Sequence, residues 1–217
     1  YAERLLNFPV LLVGLAVASP LYTRLARFAA ENRARSFETT LLLGLRLLLL
    51  IGAPIGVLVT GFAEPIISLL LERGAFSAAD TALSGYALRG YAVSIAFLSM
   101  LPLMSSAGLA LGKAWRIAGV YGLALVLNVV LDALLVRHFG LLGIALATSV
   151  VALVTALLMI AIVSPRVLRA HSFWRTLVAA FMIGIVGAGF ILVFRHTFPV
   201  FPRTLPGLTA YLAGGGL

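Results

Sequence analysis

The feature that most constrains this chain is a long apolar run that recurs along its whole length. Leu41 to Phe62 is one such run, and its single charged residue is Arg46. At about 1.5 Å per helical residue, about 20 residues cross the roughly 30 Å hydrocarbon core of a bilayer. Similar runs cover Leu5–Tyr22, Ala82–Leu111, Trp115–Val136, Leu141–Val163 and Trp174–Phe194, and another begins at Leu205. The expected fold is all-α: a polytopic helical membrane protein with about six complete transmembrane helices plus the start of a seventh.

Composition agrees. The chain is 62% hydrophobic and 11% charged, whereas a globular chain carries about 25% charged residues. Its net charge of +9 is spread over several short loops rather than massed on one face. That is the pattern of topology signals, and it speaks against a nucleic-acid partner. There is no cysteine, so disulfides and cysteine-ligated metals are excluded. The chain opens on Tyr1 and stops within an apolar run, so it reads as an internal piece of a longer, transporter-sized protein.

Between the second and third runs, Glu64 to Thr81 reads as a stop, a turn and a restart at a membrane surface. Pro65 to Arg73 has the form of a short helix with Gly74 just past its end. Nine residues rise only about 13 Å, too little to span. Ser77-Ala-Ala-Asp80 has capping-box spacing and opens the next run. Within the third run, Pro102 marks an interruption, and Gly52-x-Pro54-x-Gly56 marks a kink in the second. Gly52-x-x-x-Gly56 and Gly108-x-x-x-Gly112 read as close helix contacts. Val13–Ser19 echoes Leu142–Thr148, again a small-residue packing pattern.

Lysines and arginines alternate with the loops. Loops one, three and five hold nine (Arg24, Arg27, Arg33, Arg35, Lys113, Arg116, Arg166, Arg169, Arg175). Loops two, four and six hold four (Arg73, Arg137, Arg195, Arg203). Cytoplasmic loops carry the excess, so the odd loops are expected inside and Glu64–Thr81 outside.

Enzyme chemistry finds no support. His138, His171 and His196 lie in different loops without metal-pair spacing, and no phosphate-binding glycine loop is present. No metal or cofactor is expected. Ser105 and Ser106 are expected to bond to helix backbone.

The informative groups are ionisable residues in or at the ends of spans, costly there and functional by default. Arg46 lies near the inner end of the second span, where snorkelling to headgroups accounts for it as well as substrate contact does. Arg89 is deeper from the outside, and structural and functional readings both stand. Asp132 lies one helical turn after Asn128, so the two share a face. A buried Asp needs a partner, and Arg89 at similar depth is the expected one, in a structural or coupling ion pair. Arg4 heads the first span at the outer face, as an interfacial anchor or a functional cation.

Several segments carry a family resemblance. Tyr1-Ala2-Glu3-Arg4-Leu5 and the helix after it resemble the Y-A-D-R-L segment of the MurJ/MviN-type lipid II flippases, within the MOP exporter superfamily. LGLRLLLLIGAPIGVLVTGFAEPIISLLLERGAF, with Arg46, Pro54 and Gly74, is similar to the next pair of elements, and LLLERGAFSAADT looks like the family's RGxF-x-x-x-D/E-T. The pattern A-L-G-D-T-R-T-P is replaced here by Ala110-Leu111-Gly112-Lys113-Ala114-Trp115-Arg116.

The resemblance implies the C-terminal transmembrane lobe, residues 1–217, of a fourteen-helix flippase whose front half is absent. It implies alternating access in the bacterial inner membrane. The implied partners are a lipid-linked oligosaccharide pyrophosphate, membrane lipids and the chain's own missing N-terminal lobe. Arg4 matches a cavity arginine of the family, with Arg46 and Arg89 as further candidate substrate contacts. Another flippase of undecaprenyl-linked polysaccharide and a non-transporting paralogue are the alternatives.

Overall fold

The computed structural model describes residues 2–71 and 78–197. Gly74, Ser77 of the capping box and the run from Leu205 lie outside the described residues. Ten helices follow in order: α1 (Ala2–Ala30), α2 (Ala34–Gly61), α3 (Ala63–Leu71), α4 (Ala78–Ala92), α5 (Ile95–Leu98), α6 (Leu101–Ala110), α7 (Ala114–Phe139), α8 (Leu141–Val163), α9 (Pro165–Arg169) and α10 (His171–Thr197). The six expected spans correspond to α1, α2, the α4–α6 series, α7, α8 and α10. Four single helices among the described residues are long and apolar enough to cross a bilayer: α2, α7, α8 and His171–Ile191 of α10. Thr81–Ala92 and Ile95–Ala110 join them as one span bent by 56°.

The sharp bend of that third span lies about two turns before the proline, and a lesser irregularity lies in the turn just before it. At Val93–Ser94 and Ser99–Met100 the helix tightens, with Ser94 N–H bonding the Tyr91 carbonyl at 2.9 Å and Met100 N–H that of Phe97 at 3.1 Å, and Pro102 sits in the first turn of α6. Pro102 has no N–H for the Leu98 carbonyl one turn back, which accounts for the irregularity at Ser99–Met100. Side-chain hydroxyls occupy both places: Ser94 donates to the Tyr91 carbonyl at 2.6 Å and Ser99 to that of Ala96 at 2.9 Å. Both serines are fully buried, as a broken helix at membrane depth requires. From α8, Ser149 donates to the Gly90 carbonyl at 3.1 Å.

Two turns have the same construction. At the end of α1, Asn32 adopts φ 54°, Arg33 N–H bonds the Phe28 carbonyl at 2.9 Å and Asn32 N–H bonds that of Ala29 at 3.2 Å. At the end of α6, Gly112 adopts φ 69°, and the bonds run from Lys113 to Gly108 and from Gly112 to Leu109, both 2.9 Å. This is the Schellman arrangement, in which Gly or Asn takes the left-handed residue. Gly112 therefore serves a turn, and nothing lies within 4 Å of where its Cβ would be. Gly108 makes the expected contact, with Ile117 at 2.7 Å from a Cβ built there.

α2 runs through Pro54 as one helix at the centre of the bundle, against α1, α4, α5 and α10. Leu41, Leu45, Leu48 and Leu49 are fully buried beside Leu25, Met100 and Leu103. Its glycines admit backbone: a Cβ on Gly52 would lie 2.7 Å from Ala96 Cα, and one on Gly56 2.7 Å from the Ala92 oxygen. Without a hydrophobic drive between helices in lipid, such close approach is what holds them together. A second cluster, with Val10, Ile67, Leu88, Tyr91, Ile95 and Ala145, closes the other end.

Candidate functional site

The bundle has a basic end and an opposite end. At the basic end the α1–α2 turn meets the ends of α6 and α8, around a 220 Å³ pocket touched by Asn32, Phe37, Glu38, Leu111 and Ser164. Arg166 donates to Glu38 at 3.2 Å, and Lys113 donates to the Ile162 and Val163 carbonyls at 2.7 and 3.3 Å. The last carbonyls of a helix lack partners and carry partial negative charge, so an ammonium there is stabilising. This places Lys113, one of the residues that depart from the family pattern, in a structural role. Arg27 also pairs with Glu31 at 2.7 Å, and the hydrogen bond from Arg27 holds the Glu31 carboxyl below the usual carboxylate range.

At the opposite end, α3 turns back against α4. Arg89 Nη2 meets Glu64 Oε1 at 2.6 Å, with the two side chains 27% and 23% exposed. Glu64 fits there because position 85 is glycine: a Cβ would lie 2.8 Å from Glu64 Cγ. Below the pair opens a cleft of about 340 Å³ between α2, α4–α5 and α10. Its walls are Gly56, Val57, Val93, Phe97, Phe181 and Gly184 among others, and Arg89 is the single charged residue among the described residues that line it.

The sequence candidates are therefore dispersed. Arg46 donates from Nε to Thr176 Oγ1 at 2.9 Å, tying α2 to the start of α10 near the basic end. Along α2, Arg46 and the cleft residue Thr60 are fourteen residues apart, about 21 Å at the helical rise. Arg4 lies in the first turn of α1, at the end away from the basic turns; its side chain lies outside the described residues. Asn128 and Asp132 lie half-buried, one turn apart on α7.

The expected Arg89–Asp132 pair is corrected: the carboxylate that meets Arg89 is that of Glu64. α4 packs on α3, α8, α2 and α1, whereas α7 packs on α8 and α6. α8 thus stands between the two residues that were matched by depth. Ser105 likewise meets the Tyr121 hydroxyl at 2.9 Å rather than backbone. Glu64 was legible only as an acid at a helix start, and Thr176 and Ser149 gave no signal in sequence beyond being polar in apolar runs.

Comparison with known proteins matches residues 1–206 to the family described as Lipid II flippase MurJ. A probable lipid II flippase MurJ of Rhizobium meliloti is 32% identical over 170 residues, covering 74% of this chain and 30% of the relative. Its counterpart in Vibrio cholerae is 29% identical over 150 residues, 69% of this chain and 28% of the relative. The chain spans about 30% of the length of the curated relatives it matches. A solved structure, lipid II flippase MurJ in an inward closed conformation, superposes with a TM-score of 0.64 at 22% identity, covering 91% of this chain and 46% of that one. The bent span, the basic end and a bundle that superposes on the solved flippase thus join a family match over nearly the whole sequence: this multi-pass membrane chain belongs to the lipid II flippase MurJ family.

Proposed function

We propose that the chain acts as the C-terminal lobe of a flippase that moves lipid II from the inner to the outer leaflet of the bacterial inner membrane. The observation that carries this reading is the family match over residues 1–206. The fold agrees with it, and so does the gathering of the loops with most lysines and arginines at one end of the bundle, the end expected to face the cytoplasm. Alternating access would rock this lobe against a partner lobe around a shared cavity.

Arg4 is the residue proposed to contact the pyrophosphate. It heads α1 at the end away from the basic turns, and the Y-A-E-R match carries its role. Guanidinium stays charged at low dielectric and offers a planar fork to phosphate oxygens. Arg46 and Arg89 each have a protein partner, Thr176 and Glu64, which favours positioning roles within the lobe.

The test is complementation by the full-length protein in cells depleted of their own flippase, read as accumulation of lipid-linked precursor. Arg4→Ala should fail to relieve the accumulation and Arg4→Lys should relieve part of it. Full complementation by Arg4→Ala would reduce Arg4 to an interfacial anchor.

A further inference from the structure

We propose that the cleft between α2, α4–α5 and α10 holds one outer-leaflet phospholipid with a phosphoethanolamine headgroup, its phosphate on Arg89 and its ammonium on Glu64. The cleft is apolar except for Thr60, whose hydroxyl donates to the Gly56 carbonyl at 2.9 Å, and Arg89. Ala180, Gly184 and Ala188 keep the α10 wall thin. At about 340 Å³ it falls at the low end for ligand pockets, about 300–1,000 Å³, which fits one chain of an amphiphile.

Arg89, which lines the cleft, and Glu64, bonded to it, select the headgroup. Arg89 and Glu64 form a neutral pair, each about three-quarters buried, joined through one guanidinium nitrogen and one carboxylate oxygen. A zwitterion with an N–H donor can bridge such a pair, with phosphate on the guanidinium fork and ammonium on the carboxylate, and the net charge of the site does not change. A choline headgroup has no N–H to give Glu64. An anionic headgroup, and still more a diphosphate, brings like charge to Glu64. The last argument separates this site from a pyrophosphate-binding cavity, so the inference stands apart from the transport reading.

The experiment uses the full-length protein in detergent with equal amounts of dioleoyl phosphatidylethanolamine, phosphatidylcholine and phosphatidylglycerol, and reads retained lipid by native mass spectrometry. The ethanolamine lipid should exceed each of the others about fivefold, a difference of about 1 kcal/mol. Glu64→Gln should bring it down to the choline level. Gly184→Leu should abolish it with the melting temperature unchanged, because nothing lies within 4 Å of a Cβ there and the side chain fills the cleft. That variant leaves the ion pair intact, so it decides the matter even if Glu64→Gln fails to fold.

Four outcomes would overturn the proposal. Equal retention of all three lipids would mean annular lipid, and dominance of the glycerol lipid would mean that Arg89 acts as a simple cation. Retention of the ethanolamine lipid in Gly184→Leu would place it elsewhere. Displacement of the ethanolamine lipid by undecaprenyl phosphate, itself lost in Gly184→Leu, would assign the cleft to an isoprenoid chain.

Discussion

α2 and α7 are of nearly equal length, 28 and 26 residues, and both are apolar enough to span a bilayer. Yet 33% of the apolar window of α2 is buried inside the protein, against 6% of that of α7. α7 turns Leu125, Val126, Val129 and Leu134 outward, each more than half exposed. The glycines mark the difference. Gly44, Gly52 and Gly56 of α2 each have a neighbour 2.7 Å from the Cβ position, whereas Gly119 and Gly122 of α7 have nothing within 4 Å. Apolarity brings a helix into the membrane; what backs its small residues decides whether it faces protein or lipid.

The sharpest way to break this comparison is to enlarge a glycine in each helix. Gly52→Leu would force α2 away from the backbone of the broken span, and overpacking of this kind costs about 1–3 kcal/mol or more. We expect loss of most monodisperse protein in fluorescence-detected size-exclusion chromatography. Gly119→Leu should stay within about 0.5 kcal/mol of the parent in a thermal melt. Equal damage from both would show that α7 packs against protein on that face.

A smaller effect is expected at the Arg89–Glu64 pair, which fastens α3 to α4. Either Arg89→Gln or Glu64→Gln leaves a largely buried charge without its partner, a loss of about 3 kcal/mol when fully buried and nearer 1–2 at this exposure. The double variant should recover part of that loss. Strictly additive melting shifts across the cycle would show that the pair contributes no coupling.

Lys113 offers a test at the basic end. Lys113→Met frees the Ile162 and Val163 carbonyls and should cost about 1 kcal/mol in chemical denaturation. Asn32→Gly should instead stabilise slightly, because glycine takes the left-handed conformation at least as readily. The smallest effect is acidic. The folded-state value of Glu31 is lowered from 4.5. The stability it contributes is therefore present above that value and is lost as pH falls through the lowered one. Glu31→Gln and parent should differ slightly in melting temperature at pH 7 and converge in acid. A difference that persists well below pH 4 would assign it to something other than the carboxylate charge.

The long helices were legible in sequence because length and apolarity are local properties that the bilayer reads directly. The basic end was legible too, from the alternation of Arg and Lys among the loops. The break in the third span was not. Pro102 is the visible breaker and matches only the lesser irregularity at Ser99–Met100, whereas the sharp bend rests on Ser94 and the distant Ser149. The partner of Arg89 was hidden for a similar reason. Depth alone matched it with Asp132, and only the packing order shows α8 standing between them. For Arg4, sequence supplied the position and the family match supplied the role.

The broken span has a consequence for isotope exchange. A continuous transmembrane helix gives up its amide protons from the frayed ends inward, the middle last. Here the bend at Val93–Ser94 and the turn at Ser99–Met100 replace two ladder bonds in the interior of the span by tighter ones, Ser94 N–H to Tyr91 at 2.9 Å and Met100 N–H to Phe97 at 3.1 Å, whose geometry is poorer. Deuterium should therefore enter this span from its middle as well as its ends, while α8, unbroken from Leu141 to Val163, keeps the ordinary order.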